Sequence, residues 1–67
     1  MHAAIHPAME FVLRREAVPA AEMTAAFAAI MDGDAAEIDI AALLTGLAVK
    51  GETFEEIAAV AAVMRER

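Results

Sequence analysis

His2 and His6 stand four residues apart, the spacing that lays two imidazoles on one helix face, where they could share a metal ion. Pro7 disturbs the helix at that point and His2 falls in its frayed end, so the pair reads as two solvent-exposed histidines. Asp32-Gly33-Asp34 opens like a calcium loop, but position five is Ala36, position six is Glu37 where glycine is required, and position twelve is Leu43 where a bidentate glutamate belongs. It is not an EF-hand. Glu52, Glu55 and Glu56 offer clustered carboxylates for acid/base work. At the start of a helix they are better explained by capping and by compensation of the helix dipole. Serine and cysteine are absent, which removes both common hydroxyl and thiol nucleophiles, the thiolate zinc sites and the serine an acyl carrier needs for its prosthetic arm. No catalytic, cofactor-binding or metal-binding residue is assigned.

The chain that must position anything else has 67 residues, a size at which only about 60% of the unfolded surface is hidden on folding. Hydrophobic residues make up 61% of it, yet many are alanines, such as Ala25, Ala26, Ala28 and Ala29, each burying little area. The usable core is therefore a few Ile, Leu, Val, Met and Phe side chains. A net charge of −6 argues against nucleic acid or an anionic membrane as partner, since both call for a basic surface. Trp and Tyr are absent too, so single strands would find few platforms to stack on. No apolar run approaches the roughly 20 residues of a membrane span. Met1 to Pro7 lacks the basic and apolar regions of a signal peptide, so the expected location is the cytoplasm.

Strong helix formers dominate and no strand-like alternation occurs, which predicts an all-α chain. Pro19, Asp32-Gly33-Asp34 and Gly51 cut it into four helices. The first is expected from Ala3, or from Pro7, to Glu16, with Ile5, Met9, Val12 and Leu13 as its stripe. The second runs from about Pro19 to Met31 on Met23, Ala26, Phe27 and Ile30, with Gly33 as a left-handed stop. The third runs from Ala36 to Lys50 on Ile40, Leu43, Leu44 and Leu47. In the fourth, Thr53 and Glu56 have the spacing of a capping box, and Ile57, Val60, Ala61 and Met64 form the expected buried face. Short connections imply a small up-and-down bundle of four short helices in a single domain over residues 1–67, with Gly46 allowing two helix axes to approach closely.

Phe11, beside Met9, Val12 and Leu13, makes the first helix apolar over more than one face. Such a helix needs a second surface to bury against. Met9, Phe11, Val12, Leu13 and Leu43 are accordingly expected to be interface residues on helix surfaces, with Val49 raising the same question.

Ile40-Ala-Ala-Leu-Leu-Thr-Gly-Leu-Ala-Val-Lys-Gly-Glu-Thr-Phe-Glu-Glu-Ile-Ala, continuing to Met64-Arg65-Glu66, resembles the N-terminal helical domain of anthranilate phosphoribosyltransferase. That family reads "IAAFLMALRMKGET-x-EEIAG…AMRE" there, and its "IMSGE" is similar to Ile30-Met31-Asp32-Gly33-Asp34. The likeness runs from about Val12 to Arg67. Pyrimidine nucleoside phosphorylases share the domain with a similar "LLMAIYFKGMT" segment, but Glu52 before Thr53 and the closing Met64-Arg65-Glu66 favour the anthranilate enzyme. Two positions depart from the pattern: Arg15 stands where the family has a glycine closing the first helix, and Pro19 where it has a Ser or Thr cap.

The resemblance implies a parent enzyme that moves phosphoribosyl from phosphoribosyl pyrophosphate to anthranilate with magnesium, in tryptophan biosynthesis. Its "GTGGD" diphosphate loop and magnesium carboxylates lie in a following α/β domain, and that catalytic domain is absent from this sequence. What remains is expected to be a non-catalytic module that supplies a homodimer contact and one wall of the substrate cleft, needing no cofactor of its own. Two alternatives stay open: the same domain of a pyrimidine nucleoside phosphorylase, and a free-standing acidic adaptor that binds a partner helix in a groove built on Met9, Met23, Met31 and Met64.

Overall fold

The computed structural model describes residues 1–66, all within an all-α bundle of four short helices. α1 spans His6–Leu13, α2 Ala20–Met31, α3 Glu37–Lys50 and α4 Phe54–Glu66. Among the described residues no helix is long and apolar enough to cross a membrane.

Helix ends follow the local chemistry. α1 tolerates Pro7 because its first turn has no use for that residue's missing N–H. It stops three residues short of Glu16, because Arg15 turns left-handed at φ 59°. The N–H of Arg15 then reaches the Val12 carbonyl at 2.9 Å and that of Glu16 the Phe11 carbonyl at 3.0 Å, which is a Schellman closure. α2 ends in the same closure with Gly33 at φ 79° in the left-handed position, where glycine is free of the strain an arginine bears. The two positions where the chain departs from the pattern of the family it resembles are thus one strained cap and, at Pro19, an N-cap without a side-chain hydrogen bond.

Ahead of α1, the chain is ordered where fraying was expected. The His2 carbonyl accepts the N–H groups of Ile5 and His6, and the His2 N–H donates to Asp39 Oδ2 on α3 at 3.1 Å. That turn carries Ile5 wholly into the core, with Ala8, Val12, Val18, Met23, Ala26, Phe27, Leu43, Leu47, Ala59 and Val63.

Packing is chiefly between alternate helices. α2 lies along α4 and α1 along α3, with a smaller contact between α1 and α2. The α1–α3 contact depends on Gly46, where an added Cβ would sit 2.6 Å from Val12 Cγ1. The expected close approach at Gly46 is therefore real and is made by the first helix.

Because α4 meets α2, its buried face is Glu56, Ala59 and Val63 with Val60 at the margin. Ile57 and Met64, expected inside, are each 56% exposed, so the helix is rotated by about one residue from the sequence-based face. Leu44 on α3 is similarly half open.

Candidate functional site

Among the described residues, two of the apolar surfaces left open after the core is closed bear on function. The larger is a groove of about 590 Å³ between α2 and α4, closed at one side by the later turns of α3. Met23, Phe27 and Leu47 form its floor, Leu44, Ile57, Val60, Ala61 and Met64 its walls, and Glu52 and Glu56 stand at one end. The surface is almost wholly hydrocarbon because α4 turns Glu56, Ala59 and Val63 into the bundle and leaves Ile57 and Met64 open beside them.

Glu56 is the best-organised polar group in the molecule. The capping box forms as expected: the Thr53 N–H donates to Glu56 Oε1 at 2.8 Å and the Glu56 N–H to Thr53 Oγ1 at 3.1 Å. The carboxylate also takes Lys50 Nζ on both oxygens at 3.0 and 2.9 Å, and the Val18 N–H from the α1–α2 connection. Lys50 Nζ completes its own shell on the Gly51 carbonyl at 2.9 Å. Neither partner faces water, the Glu56 side chain being 0% and the Lys50 side chain 5% exposed. Burial by itself pushes the Glu56 carboxyl up; the Lys50 hydrogen bonds, the Val18 and Thr53 N–H groups and the Lys50 charge outweigh it and hold the group below its ordinary value. A carboxylate so fully engaged ties the α1–α2 connection, the end of α3 and the start of α4 together and has no lone pair left for acid/base work. Glu52 and Glu55 stay exposed.

The sequence pattern shows only the Thr53 half of this arrangement. Lys50 lies six residues before Glu56, across the Gly51 turn, at a spacing no single helix brings together, and Val18 is 38 positions away.

The second surface is a shallow depression of about 280 Å³ where α1 ends against α3, lined by Val12, Leu13, Arg15, Gly46, Val49 and Lys50. Leu13 is 76% and Val49 73% exposed. Of the five expected interface residues, Leu13 alone stands free on a helix surface. Phe11 and Met9 are half-buried against the core, and the Arg14 guanidinium lies 4.9 Å from the Phe11 ring centre. Leu43 is completely buried and Val12 nearly so. Their expected place on a helix surface is corrected: the α1–α3 contact over Gly46 turns both inward, into the core. Of the four methionines of the adaptor reading, Met23 and Met64 share the α2–α4 groove; Met9 and Met31 are not among its lining residues.

His2 and His6 do not converge. His2 Nδ1 accepts the Ala4 N–H at 2.9 Å, while His6 Nδ1 lies 4.0 Å from Glu10 Oε1. Among the described residues no three His, Asp or Glu side chains gather as metal ligands.

The glycosyl transferase family's helical bundle domain matches residues 7–67. The chain is 55% identical over 51 residues to an anthranilate phosphoribosyltransferase of Parvibaculum lavamentivorans, covering 76% of this chain and 15% of the relative. It is 40% identical over 63 residues to that of Syntrophobacter fumaroxidans, covering 94% of this chain and 19% of the relative. It is 46% identical over 63 residues to that of Chloroflexus aggregans, covering 94% and 18%. The chain thus spans less than a fifth of the length of these curated relatives. No solved structure matches it.

Proposed function

Because the chain belongs to the glycosyl transferase family through its helical bundle domain, we propose that it is the N-terminal helical domain of an anthranilate phosphoribosyltransferase, serving by contact and not by catalysis. The observation that carries this reading is the pair of open apolar surfaces on a chain under a fifth as long as its relatives. A bundle of this size would ordinarily spend Leu13, Leu44, Val49, Ile57 and Met64 on its own core.

In this reading the Leu13–Val49 surface of α1 and α3 is the homodimer contact, with Met9, Phe11, Val12 and Leu43 holding its shape from beneath. The α2–α4 groove faces the remainder of the enzyme, whose later helices complete the wall of the cleft for the aromatic substrate. Phosphoribosyl transfer, its magnesium and the diphosphate loop then belong to the α/β part. The whole enzyme works in tryptophan biosynthesis in the cytoplasm, without nucleic acid or membrane.

The DNA beyond the Arg67 codon tests the proposal. Continuation into a strand and a "GTGGD"-like loop is expected; an immediate stop codon would leave the free-standing adaptor.

A further inference from the structure

His2 makes the hydrogen bonds of a helix N-cap for the turn ahead of α1. Its carbonyl accepts the N–H groups of Ile5 and His6 at 3.0 Å each, and its side chain accepts the N–H two residues on, that of Ala4, at 2.9 Å. This is the bond an N-cap Asp, Asn or Ser makes with its oxygen. Here the acceptor is imidazole Nδ1, with the ring proton on Nε2. No Asp or Ser cap loses its acceptor near neutral pH; an imidazole does, because its charge changes between about pH 5 and 8.

We propose that His2 is a proton-operated cap, closing the first turn when its ring is neutral and releasing it when Nδ1 takes a proton from solvent. The protonated Nδ1 is a donor aimed at the Ala4 N–H, so the bond is lost, and a positive charge then faces the positive end of the helix dipole. The turn at stake is not peripheral, since it carries Ile5 at 0% exposure into the core ahead of α1. The charges around the cap act in both directions. On its own segment stand the Met1 amino group and His6, the latter beside Glu10. From α3 comes Asp39, whose carboxylate takes the His2 backbone N–H and so holds the start of the turn in place; from α2 comes Glu22, which lines a small hollow with Ala3 and Ala4. Asp39 therefore opposes the release and keeps it local.

Amide hydrogen exchange of the intact chain, corrected for the intrinsic pH dependence, tests this at Ile5 and His6. Their opening is expected to rise roughly fivefold from pH 8 to 5, the fold-change equivalent of one helix cap, in step with the His2 ring signal. His2→Asn keeps an acceptor that does not titrate and should abolish the pH dependence with protection retained. His2→Ala should leave the turn open at both pH values, and Asp39→Asn should enlarge the acid effect. The proposal is overturned if Ile5 and His6 protection stays flat while the His2 ring titrates, or if His2→Asn shows the same pH dependence as the native chain.

Discussion

Lys50 Nζ sits 2.9 and 3.0 Å from the two oxygens of Glu56, and that pair, sealed from water, joins the end of α3 to the start of α4 and to the α1–α2 connection. Deleting one partner of such a pair leaves a buried charge alone. Lys50→Met is expected to cost about 3 kcal/mol, against a total of roughly 3 to 10 kcal/mol for a domain this size, measured by urea unfolding.

The same pair sets the acid response. Glu56 binds its proton less readily folded than unfolded, so the stability it contributes is complete above the ordinary glutamate pKa of about 4.3 and is lost as pH falls through the lower folded value. The urea midpoint should therefore fall below about pH 4 in the native chain. Glu56→Gln, less stable at neutral pH, should lose less on acidification.

Val12 over Gly46 predicts an unfavourable alanine. Gly46→Ala gains about 1 kcal/mol of helix propensity but drives a Cβ into Val12 Cγ1, and overpacking costs about 1 to 3 kcal/mol. A net loss near 1 kcal/mol is expected. In a Val12→Ala background the clash is gone and the same change should stabilise, a coupling that a double-mutant cycle reads directly.

Arg15 pays for its left-handed position, and Arg15→Gly should raise stability by about 0.5 kcal/mol, the strain relieved being partly offset by the freer unfolded glycine. Gly33→Ala, at the equivalent place after α2, should lower it by about 1 kcal/mol. Thermal unfolding of the two variants checks the opposite signs.

Glu22 and Glu56 both stand three residues after an N-cap position, yet their fates differ. Thr53 offers the N–H that Glu56 takes, whereas Pro19 has none to offer, and Glu22 Oε2 is left buried without a hydrogen-bond partner. Pro19→Ser should complete the second capping box and add about 0.5 to 1 kcal/mol. The gain should shrink in a Glu22→Ala chain.

These cases show which physics the sequence exposes. Helix number, the breaks at Pro19, Gly33 and Gly51, the Thr53 cap and the space at Gly46 all follow from local chemistry and were legible. The rotation of α4 was not. The apolar stripes of α3 and α4 are wide enough to be turned by a residue, and which side faces inward is decided by the α2–α4 and α1–α3 pairings, a matter of tertiary packing. That is why Leu43 and Val12, which sit on the apolar stripes and were also expected at an interface, prove to be core, and why Ile57 and Met64 read as core and line an open groove. Glu56 as a three-way junction was hidden for a related reason, since its partners come from three separate segments.

Under the proposed function this bundle serves phosphoribosyl transfer through its surfaces. Replacing the matching helical segment of the Parvibaculum lavamentivorans anthranilate phosphoribosyltransferase with this chain, and assaying phosphoribosyl transfer to anthranilate by the purified chimera, tests it most directly. An active dimer is predicted, with Leu13→Glu plus Val49→Glu weakening the dimer and Ile57→Glu lowering activity. A folded chimera devoid of activity, beside an active native enzyme, would contradict the claim.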